Sequence, residues 1–138
     1  MPIPPLPSHV PRWAAATLLA AAAYNVLWGA AVVLAPIATL NLIGLQDVSH
    51  PSLWQCIGMI VGVYGVGYAA AAWDPIRHWP IVLVGLLGKI FGPIGFLFAY
   101  LQGEVPLRMG LTIITNDLIW WAPFTMLLLM AWRGRNRP

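Results

Sequence analysis

Two charged residues lie in the middle of long apolar stretches of this chain. Lys89 lies within the stretch 81–101, and Asp117 lies within the stretch 107–132. A charge at the centre of a membrane helix costs about 3 kcal/mol on insertion scales, so such charges are rare unless they are paired or used. The two residues therefore predict a buried polar site inside a bundle of membrane helices.

The depth of the two charges predicts that they meet. Lys89 is nine residues from Pro80, and Asp117 is eleven residues from Pro106. At about 1.5 Å per helical residue they lie roughly 14 and 16 Å deep from opposite faces. These depths coincide in a hydrocarbon core of about 30 Å. Neighbouring antiparallel helices would then form a midplane ion pair, with an ammonium-to-carboxylate contact near ~3 Å.

Two asparagines and a proline add polar groups at this depth. Asn116 precedes Asp117, and Asn25 lies near the middle of the first apolar stretch. Pro93 has no N–H to donate to the carbonyl four residues earlier, which belongs to Lys89. Exposed backbone polar groups are tolerated at membrane depth where they face protein or a wet cavity.

Two tryptophans are predicted to form an aromatic wall beside Asp117. Trp120 and Trp121 follow the aspartate at offsets of three and four, which share its helix face. Tryptophan offers stacking and cation–π contacts to a flat or charged group. The candidate ligand-binding residues are Lys89, Asp117, Asn116, Asn25, Trp120 and Trp121.

The composition indicates a membrane domain. Of the 138 residues, 60% are hydrophobic and only 8% are charged, with a mean hydropathy of +0.79. A soluble domain of this length needs far more polar surface. The net charge is +3 and the pI is about 9.5, but the arginines flank apolar runs and form no basic patch. The sequence therefore gives no indication of a nucleic-acid partner.

Four apolar stretches are long enough to cross a bilayer, which takes roughly 20 helical residues. They are 13–34, 52–73, 79–101 and 107–132, and prolines mark most of their ends. We predict an all-α, integral membrane four-helix bundle between a proline-rich tail, 1–12, and a basic tail, 133–138. The long connection 36–51 carries spaced apolar residues, which predict a short helix on the membrane surface, either a lid or an interfacial segment.

Small residues recur along the second and third stretches. They are Gly58, Gly62, Gly65, Ala69 and Ala72 in one, and Gly85, Gly88, Gly92 and Gly95 in the other. Such stripes allow helix backbones to approach closely, which predicts that these two helices pack on each other. A dimer interface is the alternative.

Arginines in the short loops predict the orientation of the chain. If the four stretches alternate, Arg108 alone lies on one side. The opposite side has Arg12, Arg77, Arg133, Arg135 and Arg137. Because cytoplasmic loops carry the excess of basic residues, both termini are predicted to be cytoplasmic.

The sequence leaves catalysis and any cofactor open and indicates no metal. The three histidines, His9, His50 and His78, lie outside the apolar stretches, which excludes bis-histidine haem ligation in the bilayer. Asp47, His50 and Glu104 share the non-cytoplasmic side, but their spacing matches no strong metal-ligand pattern. We interpret them as solvated loop residues.

The segments 88–95 (GKIFGPIG) and 115–121 (TNDLIWW) carry a resemblance to a known group. There the chain resembles small four-span bacterial inner-membrane proteins, and its layout is similar to that of DoxX-type bundles. The resemblance covers the layout of all four stretches and matches no functional motif residue by residue. It implies location in a bacterial inner membrane and a redox-accessory or quinone-contacting role.

Several functions are consistent with these residues. The first is an accessory or ligand-binding subunit for a quinone, a lipid or a small amphipath. The second is an oligomeric transporter or channel for a small solute or ion, and the third is an enzyme that modifies a lipid or quinone. A purely structural ion pair that fixes helix register also stays open. The expected partners are the bilayer and a homo-oligomer or larger membrane complex.

Overall fold

A computed structural model describes residues 11–46 and 48–135 of the chain. The described residues form helices joined by turns, and none of them lies in a strand. The α-helices are α1 (Arg12–Leu34), α2 (Pro36–Leu42), α3 (Pro51–Ala71), α4 (Trp79–Leu101), α5 (Gly110–Ile113) and α6 (Ile119–Arg135). A 3-10 turn at Leu107–Met109 precedes α5, and a π-helical segment at Ile114–Leu118 joins α5 to α6.

Four helical spans are long and apolar enough to cross a membrane. The first span is α1, the second is α3, the third is α4, and the fourth is the continuous helix Leu107–Gly134. Each begins and ends within two residues of its predicted bounds. Proline occupies the first turn of α3 and of α4, where its missing N–H leaves no bond unmade. The all-helical, four-span architecture is therefore confirmed, and it is that of a multi-pass membrane protein.

The first and second spans pack backbone to backbone through glycines. A Cβ atom added to Gly29 would lie 2.5 Å from the carbonyl oxygen of Gly58, and one added to Gly65 would lie 2.8 Å from that of Ala22. No side chain fits at these crossings. The small residues of the second span thus pack on the first span. The prediction that they pack on the third span is wrong.

The third span uses its glycines differently. Gly85 lies against the ring of Tyr68, and Gly92 lies against the carboxylate of Asp117. A Cβ atom added to Gly88 would meet nothing within 4 Å. The glycines of the third span therefore accommodate the side chains of Tyr68 and Asp117 and, at Gly88, border open space. The third span packs mainly on the fourth.

Two apolar clusters lie at opposite ends of the bundle. One joins all four spans through Leu18, Tyr68, Val82 and Phe124, with the rings of Tyr68 and Phe124 edge to face at 5.1 Å. The other packs α2 onto the ends of the first two spans. The predicted short helix is thus present as α2. Between the two clusters lie the buried polar residues.

That second cluster is closed by a hydrogen bond. Leu40 and Ile43 are buried against Trp54, whose indole Nε1 donates to Thr39 Oγ1 at 2.9 Å. The buried indole is therefore satisfied, as a buried N–H must be.

Candidate functional site

The structure brings four of the predicted site residues together: Asn25, Lys89, Asn116 and Asp117. Asn25 is 2% exposed, and Lys89 and Asp117 are each 4% exposed. They come from the first, third and fourth spans, and they line one cavity. Burial at this level is rare for charged side chains unless neighbouring groups compensate the charge.

Lys89 is held by a carbonyl and by two aromatic rings. Its Nζ donates to the backbone carbonyl of Asn116. The same nitrogen lies 5.9 Å from the ring centroid of Tyr68 and 5.8 Å from that of Trp120. Rings at such distances attract an ammonium group through their negative faces. The charge is thereby stabilised away from water.

Asp117 does not touch Lys89 directly. Among the described residues no ion-pair contact falls within 4.0 Å, so the predicted contact near ~3 Å is not formed in this structure. The two charges are joined through Asn116, whose Nδ2 donates to Asp117 Oδ1 at 2.9 Å. The carboxylate lies beside Gly92, almost one helical turn beyond Lys89, which explains the offset.

The π-helical segment Ile114–Leu118 provides the carbonyls of this network. Its wider hydrogen-bonding step changes where the carbonyls point, and such segments are frequent at functional sites. The Asn116 carbonyl accepts from Lys89, and the Thr115 carbonyl accepts from Trp120 Nε1 at 3.1 Å. The charged pair therefore depends on a local departure from α-helical geometry.

The two predicted tryptophans each donate a hydrogen bond to the backbone. Trp121 Nε1 donates to the carbonyl of Lys89 at 2.9 Å, which is the carbonyl that Pro93 leaves free. Trp120 lies against Lys89 and bonds to the π-helical segment. Each indole N–H needs an acceptor at this depth and finds one in the backbone, while the ligand contact of the two rings stays a prediction.

A cavity of about 130 Å³ lies beside the charges. All four spans contribute to it. Among its lining residues are Asn25, Tyr64, Tyr68, Gly88, Lys89 and Asp117. It is large enough for several waters or a small polar group, since one water occupies roughly 30 Å³ in the liquid.

Two amide oxygens at this cavity lack partners. Oδ1 of Asn25 and Oδ1 of Asn116 are buried and accept no hydrogen bond from the described part of the chain. Both residues line the cavity. Leaving such an oxygen unsatisfied costs about 1–3 kcal/mol, so each calls for a donor from outside the chain.

A second, mainly apolar cavity of about 290 Å³ adjoins the first. Its walls include Trp28, Trp54 and Phe96. We call the first cavity, which Asn25 and Lys89 line, the polar cavity. Asn116 and Asp117 line both cavities, so the carboxylate lies where the two meet. The two cavities together suit a molecule with a polar end and an apolar end.

The sequence did not point to several tyrosines around the site. Tyr64 and Tyr68 line the polar cavity, and Tyr24 Oη lies 2.7 Å from Thr115 Oγ1, which ties the first span to the fourth. In the sequence, Tyr24 directly precedes Asn25, and Tyr64 and Tyr68 are four residues apart, which places them on one helix face. These positions do not show that the tyrosines face the site, because a helix that is apolar on all sides gives no sign of which face points into the bundle.

The loops offer no metal cluster in the described part of the chain. Within residues 11–46 and 48–135, no three histidine, cysteine, aspartate or glutamate side chains gather where they could hold an ion. Asp47, named above as a loop acid, lies outside the described residues.

Fold and site together define a class: a multi-pass helical membrane protein with two buried charges at a polar cavity. No family model, curated protein or solved structure matches the chain. The DoxX-like layout therefore stays an expectation.

Proposed function

We propose that this protein is an inner-membrane ligand-binding or accessory subunit that holds the polar end of a small amphipath at the bilayer midplane. One observation carries the proposal. The oxygens of Asn25 and Asn116 have no partner within the described residues, and both residues line the cavity of Lys89 and Asp117. A ligand that donates hydrogen bonds would satisfy these oxygens.

Ligand binding explains more of the site than a structural ion pair does. An ion pair that only fixes register would gain from a direct contact and a filled space around it. Instead, Lys89 and Asp117 are bridged by Asn116 and border a cavity. Cavities cost stability, so their retention beside two charges favours use by a ligand.

Transport is the second candidate, because the two cavities meet at Asp117. In an oligomer, the two cavities would then be successive binding sites on the path of a small solute. Uptake by vesicles that contain the purified protein would support transport, and binding without uptake would favour the subunit.

We expect Asn116→Leu to weaken ligand binding without unfolding the protein. The change removes the unpartnered oxygen and the bond to Asp117, but it keeps the backbone carbonyl that accepts from Lys89. Native mass spectrometry of protein extracted in mild detergent should show a retained small molecule on the parent. The fraction of protein that carries it should fall at least about tenfold in the variant, with a melting temperature within a few degrees.

Asn41→Leu is the matched control, because Asn41 is exposed on α2 and lines neither cavity. It should retain the small molecule as the parent does. Equal retention by Asn116→Leu and Asn41→Leu would contradict a role of Asn116 in binding.

The proposed orientation, with both termini cytoplasmic, predicts a labelling pattern. After Cys56 is replaced, a single cysteine at Ser8 or Arg135 should resist an impermeant maleimide added to spheroplasts. A cysteine at Gln46, in the connection after α2, should react. The reason is the arginine excess on the side of the termini. Reaction at Ser8 and Arg135 together with protection at Gln46 would reverse the orientation.

A further inference from the structure

The second and third spans face each other across a seam that is open in places. Gly88 is exposed, and a Cβ atom added there would meet nothing within 4 Å. Tyr64 lines the polar cavity and also a groove beside it, whose other walls include the exposed Val63 and Val84. The polar cavity therefore extends sideways, at this seam, to the surface that the bilayer would cover.

Two buried amide oxygens at the cavity accept no hydrogen bond from the described part of the chain. Asn116 donates its Nδ2 to Asp117, which fixes the orientation of its amide and leaves Oδ1 as an acceptor without a donor. Asn25 Oδ1 likewise accepts no hydrogen bond, and Asn25 is 2% exposed. A ligand that satisfies these two oxygens supplies hydrogen-bond donors, which the carbonyl oxygens of an oxidised quinone do not.

The charge of Lys89 decides between two kinds of donor. A hydroxyl group and an ammonium group both donate, but the buried Lys89 would repel a second cation. The carboxylate of Asp117, which would attract one, is the only counter-charge of Lys89 among the residues that line the cavity. The faces of Tyr68 and Trp120, which would otherwise attract a cation, already serve Lys89. Neutral hydroxyl groups thus fit the site better than an amine.

The adjoining apolar cavity indicates that the rest of the ligand is an apolar chain. It shares Val61, Asn116 and Asp117 with the polar cavity, and its wall is mainly apolar, with Trp28 and Phe96. An alkyl or prenyl chain would bury its surface there at roughly 25 cal/mol per Å². A molecule with such a chain dissolves in the bilayer, which lies at the open seam.

We propose that the ligand is a bilayer-dissolved amphipath with a hydroxyl-bearing head, which reaches the polar cavity sideways through the seam between the second and third spans. The inference rests on the proposed function and names its ligand class and its route. The head meets Asn25 and Asn116, and the chain lies in the apolar cavity.

A matched pair of probes tests the head group. The monododecyl ether of glycerol has two hydroxyl groups, and dodecyl propyl ether is the same chain with both replaced by hydrogen. Each is added at equal mole fraction to the purified full chain in an amine-oxide detergent, whose head has no hydroxyl group to compete. Native mass spectrometry should show the diol bound at least about tenfold more than the ether, since each hydroxyl satisfies a buried acceptor.

A pair of glycine variants tests the route. Gly88→Leu places a side chain in the open seam beside the cavity. It should reduce diol binding at least about tenfold, and its melting temperature should stay close to that of the parent. Gly62→Leu is the matched control: a Cβ atom there also meets nothing within 4 Å, and Gly62 lines neither cavity. It should bind the diol as the parent does.

Each contrary result overturns a defined part of the inference. Equal binding of diol and ether would reject the hydroxyl-bearing head, and unaltered diol binding by a folded Gly88→Leu would reject the seam. Absence of diol binding to the parent would reject the ligand class. The small molecule retained from cells decides the proposed function separately, because a water-soluble molecule lost in Asn116→Leu would keep that function and overturn this inference.

Discussion

Asp117→Leu is expected to lower the free energy of unfolding by about 3–5 kcal/mol, because it leaves the ammonium of Lys89 buried without a counter-charge. Lys89 is 4% exposed, and its remaining partners, the Asn116 carbonyl and two aromatic rings, are neutral. Reversible unfolding in mixed micelles, followed by circular dichroism, measures the loss.

The double change Lys89→Met, Asp117→Leu should recover most of that stability. It replaces both charges by apolar side chains of similar size, and exchanges of this kind are often neutral or stabilising. If the single and double variants are equally stable, the two charges are not electrostatically coupled across Asn116.

Gly29→Leu is expected to be comparably severe, for a steric reason. Its Cβ atom would lie 2.5 Å from the carbonyl oxygen of Gly58 and 2.9 Å from the backbone nitrogen of Gly62. Backbone atoms of a helix cannot move away by a rotamer change as a side chain can. The first two spans must therefore separate to accommodate the leucine. Overpacking of this kind costs about 3 kcal/mol or more, measurable in the same unfolding assay.

Gly62→Leu provides the comparison for this prediction as well. Both changes put the same side chain into the same pair of spans, but at Gly62 it points into open space. It should unfold within about 1 kcal/mol of the parent, because leucine is a better helix former than glycine. If Gly29→Leu is as stable as Gly62→Leu, the two spans do not pack through their glycines.

The spans could be predicted from the sequence because two strong signals agree. Apolar length sets how much chain can cross the bilayer, and proline marks helix starts such as Pro51 and Pro80. The common depth of Lys89 and Asp117 followed from the same arithmetic, and the structure places both at one cavity. The carbonyl freed by Pro93 was also predictable, because proline lacks an N–H.

The partners of these groups could not be predicted. A π-helical segment has no sequence signal of its own, so the bond from Lys89 to the Asn116 carbonyl was not foreseen. A glycine stripe shows that something approaches closely but not which helix does, and Gly29 of the first span completes the crossing. The backbone acceptors of the Trp120 and Trp121 N–H groups also depend on packing that the sequence does not show.

The most direct test of the central claim separates stability from binding at the same two residues. The double variant Lys89→Met, Asp117→Leu should fold, and it should lack the charges that surround the polar cavity. Native mass spectrometry of this variant and the parent, extracted identically, measures the small molecule that each retains. We expect the parent to retain it and the folded double variant to lose it. Equal retention by both would show that Lys89 and Asp117 only fix the helices in place.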